Sequence, residues 1–283
     1  MKNKFQILLS AIIYGFIPAL SVNLINNGMS PVIVSFYRYF LGIPFLLFLW
    51  NKSKNNTLLS LSEFIKSVFF CVIPAAVTML FLNISYKYIS PGTATSIHFL
   101  YPLFVICLNC VDKRMYPNKY ICISIFIAIL GVLGFIDDIG DSVKGILLAF
   151  SSSLTYAIYL YSLEKLNLDH TKMLCLSIVD TVGSSLLYGG LVLFMGNSFI
   201  INNNSMITLV LIAILSTCAL IFLQNGTRSV GAQTSAMLSL FEPITSLFVD
   251  IIIFGIALTL RKSISVFFLI GSLIMFSFSN KKR

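Results

Sequence analysis

The chain has 283 residues, of which 58% are hydrophobic and 10% are charged, and its mean hydropathy is +0.95. Soluble domains carry about a quarter of charged residues, so this composition excludes an ordinary soluble protein and predicts a membrane protein. The net charge of +9 does not indicate a nucleic-acid partner, because most basic residues fall in loops on one side of the predicted membrane. The expected partner of the surface is the lipid bilayer.

Apolar stretches recur along the whole chain with short polar breaks between them. About 20 such residues cross about 30 Å of hydrocarbon as a helix, and they are too long for the strands of an outer-membrane barrel. We therefore predict an all-α polytopic membrane protein with ten transmembrane helices. The predicted segments are 5–25, 31–50, 64–86, 92–111, 117–136, 143–163, 172–195, 205–224, 232–254 and 262–279.

The distribution of basic residues predicts the orientation of these segments. Fourteen of the 19 Lys and Arg residues lie at the two termini and in the loops that share their side. Four lie on the other side: Lys87, Lys144, Arg261 and Lys262. Because basic loops stay in the cytoplasm, both termini are expected to be cytoplasmic, in a multi-pass protein of the cell membrane.

The acidic loop 137–142 divides the prediction into two halves of five helices, residues 1–137 and residues 143–283. An odd number of helices means that a duplicated half would enter the membrane the opposite way round, as an inverted repeat. Aligning Pro102 with Pro243 places GTATSIHFLYPLFVICL over QTSAMLSLFEPITSLFV. Chance similarity between two apolar segments is the alternative interpretation.

The stretch LFEPITSLFVDIIIFGIALT, residues 240–259, resembles the Leu-x-x-Glu-Pro-Val…Gly-Glu-x-Leu-Thr pattern of EamA-type members of the drug/metabolite transporter superfamily. YPLFVICL, in the first half, resembles the matching Pro-Leu-Phe element. The sequence departs from the pattern at Ile256, where the second repeat usually has a glutamate, and at VDKRM in the first half. The resemblance implies two EamA-like five-helix repeats and a carrier that works by alternating access, with its cavity between the halves and its fifth and tenth helices at the periphery.

Prolines inside the segments mark candidate helix interruptions, where backbone groups would be free to meet a solute. The strongest candidates are Pro18, Pro102 and Pro243, and Pro44 and Pro74 are further ones. A simple kink is the alternative at each position.

Three charged residues lie well away from both ends of their predicted membrane segments: Arg38, Asp180 and Glu242. Glu242 lies about ten residues into its segment, roughly 15 Å deep, and could bind a cationic group, carry a proton or pair with Arg38. Arg38 could anchor a carboxylate or phosphate, snorkel to the interface or form a fixed ion pair. Asp180 lies in the segment that corresponds to that of Arg38, so the two could meet across the repeat axis.

Aromatic residues are the remaining site candidates. His98, one turn before Pro102, could line a cavity together with Tyr101 or could be a hydrogen-bonded packing residue. Tyr14, Tyr156 and Tyr159 lie in the first helices of the two halves. They could form an aromatic wall for an organic cation or could pack in the bundle.

These features predict a secondary transporter that moves a small organic metabolite, such as an amino acid, an amine or a related amphipathic solute, as an exporter or a proton-linked carrier. A channel, a membrane scaffold and an embedded enzyme are the alternatives. No catalytic residue, metal site or cofactor is predicted, because no converging metal ligands or phosphate-binding loop are found in the sequence. The expected partners are a small-molecule solute, lipid and protons. The sequence leaves open whether the protein forms a homodimer.

Overall fold

The computed structural model describes residues 2–89, 91–113, 116–134, 136, 142–196, 199, 203–255 and 259–280. Within these residues every regular element is helical. The α-helices are α1 (Lys2–Asn26), α2 (Pro31–Phe40), α3 (Gly42–Lys52), α4 (Leu61–Ser67), α5 (Ile73–Ser85), α6 (Pro91–His98), α7 (Tyr101–Lys113), α8 (Lys119–Leu133), α9 (Val143–Leu166), α10 (Met173–Phe194), α11 (Asn203–Val230), α12 (Ala232–Leu238), α13 (Phe241–Phe254) and α14 (Leu260–Asn280). The chain is therefore all-α, as its composition predicts.

Eight helical runs of the described residues are long and apolar enough to cross a membrane. They are Asn3–Ile25, Pro31–Lys52, Leu61–Ser85, Gly92–Asp112, Val143–Leu166, His170–Phe194, Ser205–Val230 and Leu260–Phe278. The apolar helix α8 is shorter, with 15 residues. The chain is thus a multi-pass membrane protein, whereas the count of ten spans stays a prediction.

Four predicted segments are interrupted shortly before a proline. α2 and α3 meet at Leu41 before Pro44, and the π-helical turn Val68–Val72 precedes Pro74. The segments that contain Pro102 and Pro243 break two residues before α7 and α13 begin. Proline lacks a backbone N–H and its ring clashes with the carbonyl four residues earlier, which explains why each break lies on the N-terminal side.

The prediction of an interruption at Pro18 is wrong. α1 runs without a break from Lys2 to Asn26 and contains Pro18 in its interior. A single proline in a membrane helix is tolerated because neighbouring groups and small local adjustments satisfy the freed carbonyl. Pro18 therefore illustrates the alternative of a proline inside a continuous helix.

Helices from the first half of the chain pack against helices from the second half. α1 contacts α11 and α13, α2 contacts α10, and α5 contacts α9. Close approach depends on glycine: a Cβ at Gly15 would lie 2.6 Å from Cβ of Thr245, and one at Gly226 would lie 2.3 Å from Cδ1 of Ile7. Small residues at such crossings are typical of helix packing in membranes, where backbones approach closely.

The outer surface of the bundle carries large apolar side chains, as a lipid-facing surface requires. Phe69, Phe126, Phe194, Ile207 and Ile252 are all exposed. In water such a surface would be costly, whereas in hydrocarbon it matches its solvent. α8 and α14, the fifth and last segments, pack against each other.

Two features singled out in the sequence fall on residues that lie outside the described part of the chain. They are residues 137–141 of the acidic loop and Ile256, and the last two residues of VDKRM, 114–115, also lie outside it. Ser142, the last residue of that loop, is described: its hydroxyl accepts a hydrogen bond from Gly145 N at 3.4 Å and caps α9.

Candidate functional site

A cavity of about 510 Å³ lies between the two halves of the bundle. Its wall includes residues of α1, α2, α5 and α6 from the first half, and residues of α9, α10, α11 and α13 from the second half. This is the volume range of small-molecule sites in proteins, which is about 300–1,000 Å³. The cavity is large enough for a small organic solute.

The residues that line the cavity extend to one end of the bundle. Ile25 and Pro31, which flank the α1–α2 connection, line the cavity, and so do Tyr86 and Gly92, which flank the α5–α6 connection. Toward the opposite end, the deepest lining residues of α9 and α11 are Tyr159 and Leu223. Each lies seven residues before the end of its helix, so about 10 Å of packed helix separates the cavity from that end of the bundle.

Polar contacts join the two halves of the chain at that opposite end. Lys172 Nζ lies 2.8 and 2.9 Å from the two carboxylate oxygens of Glu63. Thr57 and Thr171 hydroxyls lie 2.9 Å apart. Lys165 and Asp112 form a further ion pair between the halves. Among the described residues, the cavity therefore extends to one end of the bundle, which we call the lined end. Contacts between the two halves close the opposite end.

Arg38 lies on the cavity wall and forms no ion pair in the described part of the chain, although its charge acts on Glu242. Its guanidinium carbon lies 5.7 Å from the ring centroid of Tyr14 and 5.8 Å from that of Tyr39. Cation–π contact with two rings partly offsets the cost of holding the charge at this depth. The guanidinium is held against aromatic rings and remains available to an anion, and the alternative of a fixed ion pair is not observed among the described residues.

Glu242 is half-buried on the same wall, near the start of α13. Its side chain makes no hydrogen bond or ion pair to any residue that the structure describes. The turn that precedes α13 places it: Glu242 N donates to Ser239 O at 2.9 Å, one residue before the buried Pro243. The helix break thus places the carboxylate of Glu242 on the cavity wall.

Asp180 also lines the cavity but is almost fully enclosed, with 1% of its surface exposed. Oδ2 accepts hydrogen bonds from the Tyr159 hydroxyl at 3.1 Å and from Gln224 Nε2 at 3.0 Å. Arg38 and Asp180 share the cavity, but no ion pair joins them in the described residues. The two residues therefore line the same cavity, but in the part of the chain that the structure describes they do not contact each other as an ion pair.

The three tyrosines predicted to form an aromatic wall all line the cavity: Tyr14, Tyr156 and Tyr159. The rings of Tyr156 and Tyr159 stack with centroids 5.8 Å apart. Pro18 lines the cavity as well, although it does not interrupt its helix. Tyr159 is 1% exposed and belongs to the packed core, and Tyr14 and Tyr156 pack against that core, so both the aromatic wall and ordinary bundle packing stay open.

His98 lines the cavity at its edge and is 9% exposed. Its Nδ1 lies 3.0 Å from Oγ of Ser152, whose own hydroxyl donates to Ala149 O at 2.6 Å. Both contacts are satisfied together when His98 Nδ1–H donates to Ser152 Oγ, which is the tautomer of neutral His98 without a proton on Nε2. His98 is thus a hydrogen-bonded residue of the wall.

Tyr101 does not line the cavity, which contradicts its predicted pairing with His98 there. It is 0% exposed, and its ring packs edge-on against Tyr156 with centroids 4.7 Å apart. The break before Pro102 turns the chain so that Tyr101 lies behind the wall. Its role is to support the rings that face the cavity.

Tyr39, Asn83 and Gln224 are among the wall or near-wall residues that were not predicted. Each carried a signal, because each is a polar side chain inside or beside an apolar segment. Asn83 Nδ2 donates to Ser35 Oγ at 2.6 Å and links α5 to α2. Gln224 holds Asp180 from the neighbouring helix α11.

No group of three or more His, Cys, Asp or Glu side chains that could hold a metal ion occurs in the part of the chain that the structure describes. The two carboxylates and one histidine of the cavity are distributed over three helices, α6, α10 and α13. The geometry suits an organic ion better than a metal.

Known proteins resemble this chain in sequence and in fold. The sequence model of a family described as the EamA-like transporter family matches residues 2–136 and again residues 143–278. The uncharacterized inner membrane transporter YicL of Salmonella typhimurium is 19% identical over 297 residues, which cover 100% of this chain and 97% of that protein. A solved crystal structure has a TM-score of 0.80 at 11% identity, covers 100% of this chain and 99% of its own, and shows a shared fold.

Proposed function

Because the chain belongs to the EamA-like transporter family, we propose that it is a secondary carrier that moves a small organic solute through the cavity between its halves. It alternates between a state open at one end of the bundle and a state open at the other. It works as an exporter or is coupled to protons. Its place is the cell membrane, with both termini on the cytoplasmic side.

The observation that carries this proposal is the pair of charges on one wall. Arg38 and Glu242 face the same cavity and interact electrostatically, but neither forms an ion pair among the described residues. A charge at membrane depth costs about 2.5 kcal/mol or more, so residues that only stabilised the bundle would be expected to pair. Binding of a solute by these two side chains explains why neither of them forms an ion pair.

The chemistry of the wall favours an amphipathic solute with an amino group. Glu242 offers a carboxylate for an ammonium group, and the nearby face of the Tyr14 ring attracts cations. Arg38 offers a fork that fits a carboxylate. Ile17 and Leu82 add apolar surface for a side group. An amino acid or an amine satisfies this combination.

The contacts at the closed end suit a carrier that must open there. The Glu63–Lys172 pair and the Thr57–Thr171 pair join the halves through side chains that are partly exposed. Exposed ion pairs contribute about 1 kcal/mol or less each, so they can separate at low cost. Alternating access then requires these contacts to break while the lined end closes.

Transport by the purified protein in proteoliposomes tests the function. Uptake and efflux of amino acids, amines and carboxylates are measured with and without a pH gradient. The proposal predicts saturable transport of at least one amino-bearing solute, with competition between related solutes. Flux that never saturates would instead indicate a channel, and no flux of any solute in the panel would remove the proposed substrate class.

Cysteine labelling tests the orientation. Ser142→Cys and Asn167→Cys lie at opposite ends of α9 and are placed singly in a background without the six native cysteines. A membrane-impermeant reagent should label position 142 in intact cells and position 167 only after permeabilisation. The reverse pattern would place both termini outside.

A further inference from the structure

The two carboxylates of the cavity differ in their surroundings. Glu242 is half-buried and faces the open space, whereas Asp180 is enclosed in a network of three neighbouring side chains. Tyr159 and Gln224 donate to Asp180 Oδ2, and Ser177 Oγ donates to Gln224 Oε1 at 2.6 Å. Gln224 is thereby fixed with its amide nitrogen toward Asp180. The network is built around one carboxyl oxygen.

The other oxygen, Asp180 Oδ1, is buried and has no hydrogen-bond partner. An ionised carboxylate would need donors on both oxygens in such a place, because Asp180 is only 1% exposed and the charge is shared between the two oxygens. A carboxylic acid needs fewer, because its protonated oxygen is itself a donor. Ser184, one turn further along α10, has a buried hydroxyl that interacts with the Asp180 carboxyl group without reaching hydrogen-bond geometry, and this hydroxyl can accept a hydrogen bond from a protonated Oδ1. Oδ1 is therefore the position for a proton.

The groups around Asp180 supply no cation that would balance a permanent negative charge. The titratable groups that interact with it electrostatically from the packed elements are Tyr14 of α1, Tyr39 of α2, Cys71 of the π-helical turn and Tyr159 of α9. All four are neutral side chains when protonated. Arg38 lies against the Tyr39 ring and forms no ion pair with Asp180 among the described residues. An enclosed charge without a counter-ion is strongly disfavoured, so the protonated form is the stable one in this state.

We propose that Asp180 is the proton-binding site of this cavity, separate from Glu242, which faces the solute. The inference rests on the proposed carrier function. In the state with the lined end open, a proton is held on Oδ1; when the network opens, that proton passes to water in the cavity and leaves a carboxylate.

Tyr159 connects this proton to the solute. Its hydroxyl donates to Asp180, while its ring stacks on Tyr156 at the cavity wall. A solute that moves these rings also moves the donor of Asp180 and changes the stability of the charged form. Coupling between solute and proton therefore requires no direct contact between the solute and Asp180.

Infrared spectroscopy tests the proton directly and needs no solute. The purified protein in lipid is titrated with alkali, and the carbonyl band of a protonated carboxylic acid is followed. The parent is expected to show such a band at neutral pH, to lose it at high pH, and to keep it in Glu242→Gln. The variant Asp180→Asn, which preserves the shape and the acceptor of the side chain, is expected to lack it.

A second variant covers the case in which Asp180→Asn does not fold. Tyr159→Phe removes one donor to Oδ2 and should shift the position of the same band. A parent without the band at neutral pH, or a band that is unchanged in both variants, would overturn the assignment. Because no transport is measured, this outcome is independent of whether the panel of solutes finds a substrate.

Discussion

The helix break before Pro102 and the helix break before Pro243 are both two-residue turns between helices. In the first, Leu100 N, two residues before the proline, donates to Ile97 O at 3.1 Å. In the second, Leu240 N, three residues before the proline, donates to Met237 O at 3.2 Å, so this turn lies one residue earlier relative to its proline. Both prolines are buried. The family model matches the two halves separately, so the breaks belong to equivalent repeats.

The side chains at the two breaks differ. When Pro102 is aligned with Pro243, Tyr101 corresponds to Glu242. Tyr101 is fully buried behind the wall, whereas Glu242 is half-buried on the cavity. The first break supports an aromatic cluster, and the second carries a charge. Two repeats can thus both keep a helix break while one copy supplies packing and the other supplies the charge on the wall.

The largest effect is expected from removal of the Tyr101 ring. Tyr101→Ala should destabilise the fold by about 3–5 kcal/mol, as for other buried aromatic residues, because the ring packs against His98 and Tyr156. Thermal unfolding of the purified protein measures this effect, with Tyr101→Phe as the control that keeps the ring. An Ala variant that unfolds at the temperature of the parent would show that the first break has no packing role.

The second effect concerns Glu242. Glu242→Gln keeps the shape and the hydrogen bonding of the side chain but cannot ionise, so transport of an amino-bearing solute should fall about 100-fold, which is about 2.7 kcal/mol. Tyr101→Phe, at the corresponding position, should transport like the parent. Equal loss in both variants would mean that the two breaks do not differ in function.

If Glu242 carries a proton rather than binding the solute, Glu242→Gln loses accumulation driven by a pH gradient but keeps downhill exchange. If Glu242 binds the cationic group, affinity falls in both modes. Transport equal to that of the parent, with and without a gradient, would make Glu242 a structural residue.

A smaller effect is expected at Arg38. Its flat guanidinium lies against the rings of Tyr14 and Tyr39, which the ammonium of lysine cannot reproduce. Arg38→Lys should therefore weaken the apparent affinity for a carboxylate-bearing solute about tenfold, and an amine without a carboxylate should be less affected. Equal affinity of the parent and the variant for both solutes would show that only the charge is needed.

The smallest effect is expected from the prolines themselves. Pro102→Ala and Pro243→Ala leave the neighbouring side chains in place, so each should change the unfolding temperature by only a few degrees, about 1 kcal/mol. If the second break positions Glu242, Pro243→Ala should also slow transport, whereas Pro102→Ala should not. A reversed order would place the functional break in the first half.

Much of the fold follows from the sequence because hydropathy and proline act locally. Apolar length predicts the helices, and proline chemistry predicts the breaks near Pro102 and Pro243, although the continuous α1 shows that a proline such as Pro18 can be accommodated. The ranking of candidate residues is less predictable, because it depends on which face each helix turns inward.

Tyr101 and Gln224 illustrate that limit. Both are polar residues in or beside apolar segments, so composition alone treats them alike. Tyr101 is buried behind the cavity wall, whereas Gln224 donates a hydrogen bond to Asp180 on another helix. Hydrogen bonds between residues 44 positions apart in the chain have no local signature. The enclosure of Asp180 therefore becomes visible only once the helices are assembled.

Counterflow in proteoliposomes tests the central claim most directly, that the cavity with Glu242 belongs to a carrier. Vesicles loaded with an unlabelled amino acid or amine are diluted into a trace of the same labelled solute. For a transported solute, the parent and Tyr101→Phe should accumulate label transiently above equilibrium, and Glu242→Gln should not. Label that only equilibrates in the parent, or equal accumulation by all three proteins, would contradict the account.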